Sequence, residues 1–175
     1  MASTRKINSS DATSSRELPN DERVLRVLMN FRQIMGSAKQ HYSVVRRECG
    51  LTGAELWALW QIGSAPGLKV TELANTLSIH QSTASNLVDK LGSRGLIRRE
   101  RRQRDQRVVR LSVTGKGAKL LDRAPAPMRG VLPDAVSGLS NPDLKKLEAA
   151  LRLVLDQIKL LDKRAAKLPL SDLIT

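Results

Sequence analysis

Ten residues from Arg98 to Arg107 hold six arginines against two acids, Glu100 and Asp105, and this run constrains the fold more than any other feature. No protein core accepts it. The residues on either side are nonetheless apolar: Leu96-Ile97 before it, and Val109, Leu111 and Val113 alternating after it. A period of two around a polar middle predicts a β-hairpin with buried roots and a basic tip, a wing. Nothing apolar holds that tip, so an anionic partner is needed to relieve the repulsion among its arginines.

The charge is concentrated there. Between Lys69 and Lys119, twelve cations face four anions, so this stretch carries +8 of the chain's +13. A charge run is ordinarily a solvated face, but arginine suits planar recognition of phosphates and bases better than solubility alone requires. Nucleic acid is the first candidate partner and an anionic membrane surface the second. No apolar run reaches the ~18 residues of a membrane span, and Met1–Lys6 leads into no hydrophobic stretch. The expectation is a soluble, cytoplasmic protein with no membrane partner. A single cysteine (Cys49) and two histidines (His41, His80) leave no internal disulfide, no multi-cysteine metal cage and no His-rich centre. No cofactor or metal is expected. His80 adjoins Ser82 without an acidic third member, and there is no phosphate loop or paired carboxylate, so no enzyme is expected either. His80 reads instead as a turn residue able to touch phosphate.

Residues 1–20 are Ser/Thr-rich and read as a flexible arm. From Asp21 a helical period sets in, with Val24, Val27/Leu28, Phe31, Ile34/Met35, Ala38, Tyr42 and Val45 spaced by three or four until Gly50. Thr52 and Glu55 form a capping box for a second helix. Val70–Leu77 predicts a short helix with Leu73, Ala74 and Leu77 inward, and Ser78-Ile79-His80 a tight connection. A helix from Gln81 to Arg94 follows, with Ala84, Leu87, Val88 and Leu91 on one face and Gln81, Ser82, Thr83, Ser85 and Asn86 crowding the other. Two short helices joined by three residues form a helix-turn-helix. The second must enter a groove about 12 Å wide, which calls for short hydrogen-bonding side chains at its leading face.

Beyond the hairpin, Thr114-Gly115-Lys116-Gly117 opens a helix with Leu120, Leu121 and Ala124 inward, which Pro125, Pro127 and Pro133 must kink or segment. Asn141-Pro142-Asp143 is a start signal. From there Leu144, Leu147, Leu151, Val154, Ile158 and Leu161 form an a/d seam nearly three heptads long. That seam is either intramolecular core or a helical dimer interface. Alongside so long a first helix, the dimer is preferred, with Val24, Leu28, Phe31, Leu147, Leu151, Val154 and Ile158 at the subunit contact.

Four pieces of the chain together resemble the MarR family of winged-helix transcription regulators. They are Leu51-Thr52; Val70-Thr71-Glu72-Leu73-Ala74-Asn75-Thr76-Leu77; Ser82 through Leu91 with Gly95-Leu96-Ile97; and Arg104-Asp105-Gln106-Arg107 followed by Leu111 through Gly117. The last is the most specific. Two departures are the proline-rich 125–133 stretch and Arg102-Gln103, where the family's wing usually has Asp-Pro. The resemblance implies an α+β fold, mainly α with a small β-hairpin wing. Its parts are an N-terminal arm (1–20), a dimerisation helix (21–50), a winged helix-turn-helix lobe (51–117), and C-terminal dimerisation helices with a tail (118–175). The terminal helices, about 21–48, 118–138 and 142–164, knit a homodimer that binds a pseudo-palindromic operator in double-stranded DNA.

Carried over onto this chain, the resemblance makes His80, Gln81, Ser82, Thr83, Ser85, Asn86, Lys90, Arg104, Asp105 and Arg107 the DNA-binding residues. The helix from Gln81 enters the major groove, and Arg107 reaches the minor groove with Asp105 holding its guanidinium. Such regulators usually repress transcription and release DNA when a small phenolic or aromatic ligand binds. The candidate ligand residues are His41, Tyr42, Arg46, Trp57 and Trp60, although a tryptophan pair three apart also suits a core and Arg46 also suits plain surface. Two alternatives stand beside this: a non-sensing, basic architectural DNA binder, and a regulator switched by oxidation of Cys49, a residue that equally reads as structural filler.

Overall fold

The computed structural model describes residues 20–102 and 105–174, with backbone only at 101–102 and 105–108. The N-terminal arm therefore lies outside the described residues except at Asn20, which opens the first helix. The chain divides into two compact units, one ending at Gln33 and one running from Ile34 to Thr175. The described part of the first is the opening of helix α1 (Asn20–Cys49), with Asp21 and Glu22 placed favourably on the positive end of its dipole. Val24, Leu25, Val27, Leu28, Met29 and Phe31 all stand exposed there.

The second unit begins with the rest of α1, which buries Ala38, His41, Val45 and Cys49. Helix α2 (Gly53–Ser64) follows, then β1 (Leu68–Lys69), α3 (Val70–Leu77), α4 (Gln81–Ser93), β2 (Ile97–Arg102), β3 (Asp105–Val113), α5 (Gly115–Asp122), α6 (Val131–Ser137) and α7 (Asn141–Asp156). A 3-10 turn (Lys163–Lys167) and α8 (Leu170–Leu173) end it. Helix α2 is the hub, since Ala54, Glu55, Leu56, Ala58, Leu59 and Ile62 are all buried. Such nearly all-round burial is what a helix enclosed by neighbours requires. The expected capping box is present: Thr52 Oγ1 accepts from the Glu55 amide at 3.2 Å, and Glu55 accepts from the Thr52 amide at 2.9 Å.

Helix α3 buries Leu73, Ala74 and Leu77, and α4 buries Ala84, Leu87, Val88 and Leu91, the inward faces that their spacing predicts. The turn between them closes with Ser78 in the left-handed region (φ 55°) and the Ile79 amide donating back to Ala74 at 3.0 Å. This is a Schellman-type ending whose next residue, Ile79, drops into the core.

The sheet is antiparallel, in the order β1-β3-β2. The two-residue β1, where sequence predicts no strand, pairs Leu68 with Leu111. β2 and β3 pair Ile97 with Val113, Arg99 with Leu111, and Arg101 with Val109. Most of the arginine run is therefore strand rather than tip, because cross-strand pairing continues to the Arg102–Asp105 step. The prolines segment the next region as expected, ending α5 at Asp122 and admitting Pro133 only in the first turn of α6.

The expected helix over 142–164 stops at Asp156. Ile158 and Leu161 lie beyond its end, and α7 carries only Leu144, Leu147, Leu151 and Val154 of the seam. None of its residues is buried within the chain, so no intrachain packing prolongs it.

Gly117 sits where α5 meets the strand leading from α4. A Cβ there would lie 2.2 Å from the Leu96 carbonyl oxygen and 2.7 Å from Val113. At Gly115 nothing lies within 4 Å. Gly117→Ala is expected to destabilise by about 2 kcal/mol or more through overpacking against backbone, whereas Gly115→Ala is neutral or slightly stabilising. Urea midpoints of the two variants check this; equal midpoints refute the close approach.

Candidate nucleic-acid interface

Gln81, Ser82 and Asn86 on α4, with His80 at its N-cap, are solvent-exposed; Thr83 and Ser85 are half-buried at the edge of the same face, and Lys90 is exposed a turn further on. The fold thus presents the predicted polar edge without spending any of it on the core. His80 gives α4 no side-chain cap, and its own amide donates to the Lys167 carbonyl at 3.4 Å.

The wing root is fastened to this helix. Arg99 pairs across the sheet with the buried Leu111, so its stem runs over the core face, and its guanidinium forms an ion pair with Asp89 of α4. On the opposite face, Arg98 donates to Ser112 at 3.0 Å and pairs with Glu100 at 2.8 Å. Thr114 Oγ1 donates to the carbonyls of Gly95 and Leu96 and accepts from the Gly117 amide, closing the base of the hairpin. Arg110 donates to the Gly67 carbonyl at 3.1 Å, tying β3 to the turn before β1. Sequence reasoning missed the Asp89–Arg99 tether. An acid on a helix's exposed face carries no signal of a partner ten residues away.

Arg104 lies outside the described residues. Asp105 and Arg107 lie on the backbone of β3, with their side chains outside the described atoms. The structure therefore brings together the α4 members of the predicted set and leaves the proposed Asp105–Arg107 contact unaddressed.

The candidate ligand residues separate into three places. Tyr42 and Trp57 line a cavity of about 290 Å³ together with Leu77, Ile79, Arg129 and Pro133. Tyr42 and Arg46, with Lys39 and Ser43, line a second of about 330 Å³. His41 and Trp60 line neither. His41 instead stands edge-on to Tyr42 at 5.9 Å and hydrogen-bonds the Pro127 backbone. Close approach of Tyr42 is possible because positions 53 and 130 are glycine: a Cβ on Gly53 would sit 2.4 Å from the ring. Burial raises the Tyr42 pKa, with a further upward push from Asp172.

Cys49, the last residue of α1, is buried. Burial pushes its thiol up against a weaker opposing effect of Arg123, with Glu48 adding to the rise. Little thiolate is therefore available for oxidation. Among the described residues no group of three or more His, Cys, Asp or Glu side chains is placed to hold a metal, and no helix is long and apolar enough to cross a membrane.

Burial lowers the His41 pKa below the usual imidazole value of about 6.5, more than its hydrogen bond raises it. The folded state therefore holds the neutral form, and the unfolded chain binds more protons in the window below pH ~6.5. Stability is expected to fall as pH drops from about 7 to 5, and His41→Gln to flatten that fall. Urea midpoints across this range decide it; an equally steep fall in the variant rules His41 out as the cause.

Comparison with known proteins places this lobe. The MarR family model matches residues 51–109. The chain is 30% identical over 98 residues to the HTH-type transcriptional regulator BilQ of Clostridium symbiosum, covering 56% of this chain and 68% of that protein. It is 29% identical over 101 residues to the HTH-type transcriptional repressor MdtR of Bacillus subtilis, covering 58% of this chain and 64% of MdtR. The matched region thus spans a little under two thirds of MdtR's own length. The transcriptional regulator BldR of Sulfolobus solfataricus superposes with a TM-score of 0.50 at 26% identity, covering 81% of this chain and all of BldR.

Proposed function

Because the chain belongs to the MarR family of winged-helix, DNA-binding transcription regulators, we propose that it works as a homodimeric repressor on an inverted-repeat operator in double-stranded DNA and is released by a small aromatic ligand. It is a regulator and not an enzyme. The observation that carries the proposal is the pairing of a polar helix edge with an arginine-rich ribbon on one lobe. Helix α4 supplies short side chains for the major groove, and β2–β3 a basic strand pair beside it.

The dimer reading rests on apolar surface. Val24, Leu28 and Phe31 in the first unit, and Leu151 and Val154 on α7, stand exposed in a single chain. Single exposed leucines need no explanation, but whole helical faces of them mark an interface. Ile158 joins this set from beyond the end of α7, and Leu147 is half-buried. A second subunit would supply the missing cover, and two lobes related by a two-fold axis would address half-sites roughly 34–36 Å apart. The ligand reading rests on the cavity beside Tyr42 and Trp57.

Operator titrations test the contacts. Gln81→Ala and Asn86→Ala are expected to relax base discrimination by about 1–3 kcal/mol per lost bidentate contact. Arg107→Ala, from the wing, is expected to weaken binding to the operator severely. Unchanged affinity in Arg107→Ala, or equal affinity for operator and random DNA, sinks the sequence-specific reading, and the latter favours the architectural one.

Leu151→Glu is expected to give a monomer that keeps its helical signal, since this side chain is 41% exposed and supports no core within the chain. Across a subunit interface the same charge would be buried unpaired at a cost of several kcal/mol. The mass in solution is the measurement. A dimeric Leu151→Glu protein that still binds operator tightly shows that the subunits meet elsewhere.

A further inference from the structure

The last twelve described residues do not trail away from the lobe; they are bound to it. Asp162 caps the 3-10 turn by accepting from the Arg164 amide at 3.0 Å. The Lys167 carbonyl then accepts from the His80 amide at 3.4 Å, Pro169 is buried, and Ser171 Oγ accepts from the Ala54 amide at 3.1 Å. Both amides that the segment satisfies are special. Ala54 lies in the first turn of α2, where a helix has no internal acceptor to offer. His80 is the N-cap of α4, and its own carbonyl accepts from Ala84 at 3.0 Å, opening that helix's ladder. One residue, His80, thus links the C-terminal strap to the start of the helix that faces DNA.

The strap does not fill the groove that it crosses. A cavity of about 290 Å³ remains beneath it, with Tyr42, Trp57, Leu77 and Ile79 on the lobe side and Leu168 and Pro169 on the strap side. The lining is mainly apolar, with Tyr42, Ser78, Arg129 and Ser171 supplying polar groups, which suits a small apolar molecule bearing one anionic or hydrogen-bonding group. Leu168, Leu170 and Leu173 are 36–45% exposed. Two hydrogen bonds and one buried proline are a light attachment, of the kind that opens locally without global unfolding.

We propose that residues 163–174 form a displaceable wall of a ligand cavity, so that a molecule bound beneath the strap holds it docked on both Ala54 and His80. Strap docking and ligand binding are then reciprocal, each favouring the other by the same factor. This deepens the ligand-responsive reading above by naming the moving element and the peptide at which occupancy is felt.

Site-resolved amide exchange on the full chain and on a chain ending at Asp162 tests the inference without DNA. Truncation is expected to speed exchange at the Ala54 and His80 amides at least tenfold while leaving the Leu73 and Leu91 amides unchanged. Equal rates at the first pair overturn the docking. Ser171→Ala keeps the test decisive if the shortened chain proves unstable, since it removes only the acceptor for Ala54 and should speed that amide alone. The ligand half uses 2-naphthoate, a planar apolar acid, as the probe. It is expected to slow both amides in the full chain, and to bind the truncated chain at least tenfold more weakly. No slowing in the full chain, or tighter binding after truncation, overturns the wall and makes the strap at most a plug. A protein that passes these tests yet binds no operator refutes the repressor reading and leaves the strap assignment standing.

Discussion

The lobe is organised around one buried charge. The Glu55 carboxylate, 8% exposed in the first turn of α2, is compensated from two directions. The Thr52 amide donates to it at 2.9 Å, and the Arg94 guanidinium lies 3.7 Å away. Arg94, the C-cap of α4, also donates to the Gly50 carbonyl at 2.7 Å, while its own carbonyl accepts from Lys116 Nζ at 2.9 Å. The end of α1, the start of α2, the end of α4 and the start of α5 therefore meet at one pair of side chains. A carboxylate left there without a partner would be strongly destabilising, although Arg94 is 40% exposed and solvent softens the penalty. With α4 held at its C-terminal end, its polar N-terminal turn is presented at a fixed angle from the core.

Periodicity made the lobe legible. Leu73, Ala74 and Leu77 on one helix, and Ala84, Leu87, Val88 and Leu91 on the next, are inward because helical spacing allows only one face to hold them all. The Thr52–Glu55 box was equally readable, since both of its bonds are local. What sequence spacing cannot supply is long-range pairing. Strand β1 exists because Leu68 meets Leu111, a partner forty-three residues on, and two residues carry no alternation to detect. The a/d seam extends in sequence to Leu161 because Val154, Ile158 and Leu161 keep the spacing of three and four. A recurring pattern does not sustain a helix that buries nothing within its own chain.

The candidate site was legible in the same proportion. The α4 residues could be read because the helix has one core face and the rest must be its presented face. The ligand residues could not be sorted this way. Tyr42 and Trp57 reach a cavity, Arg46 another, and His41 a backbone carbonyl. Helical spacing is shared by all of them, and the packing of later segments separates them: the stretch around Pro127 at His41, and the C-terminal strap at Tyr42, Trp57 and Arg46. The sequence of that strap (Ala165-Ala166-Lys167-Leu168-Pro169-Leu170-Ser171) reads as a tail. It is ordered by what it satisfies on the lobe, the orphan amides of Ala54 and His80, rather than by any propensity of its own.

The basic stretch shows how much of a charge count is structural. Of the cations that make residues 69–119 so positive, Lys69 pairs with Glu72, Arg98 with Glu100 and Arg99 with Asp89. Arg94, Arg110 and Lys116 spend donors on the carbonyls of Gly50, Gly67 and Arg94. These residues keep their charge and contribute to the long-range field that draws a polyanion in. Each commits a donor to an internal partner, but a guanidinium carries five N–H groups and an ammonium three, so the same side chain can hold its internal partner and still reach a phosphate. Near its roots the arginine run also fastens the wing to α4, through the ion pair of Arg99 with Asp89. A β-ribbon anchored in this way can hold cations close together, because cross-strand hydrogen bonding and the Asp89 and Glu100 carboxylates oppose the repulsion that would otherwise part its strands.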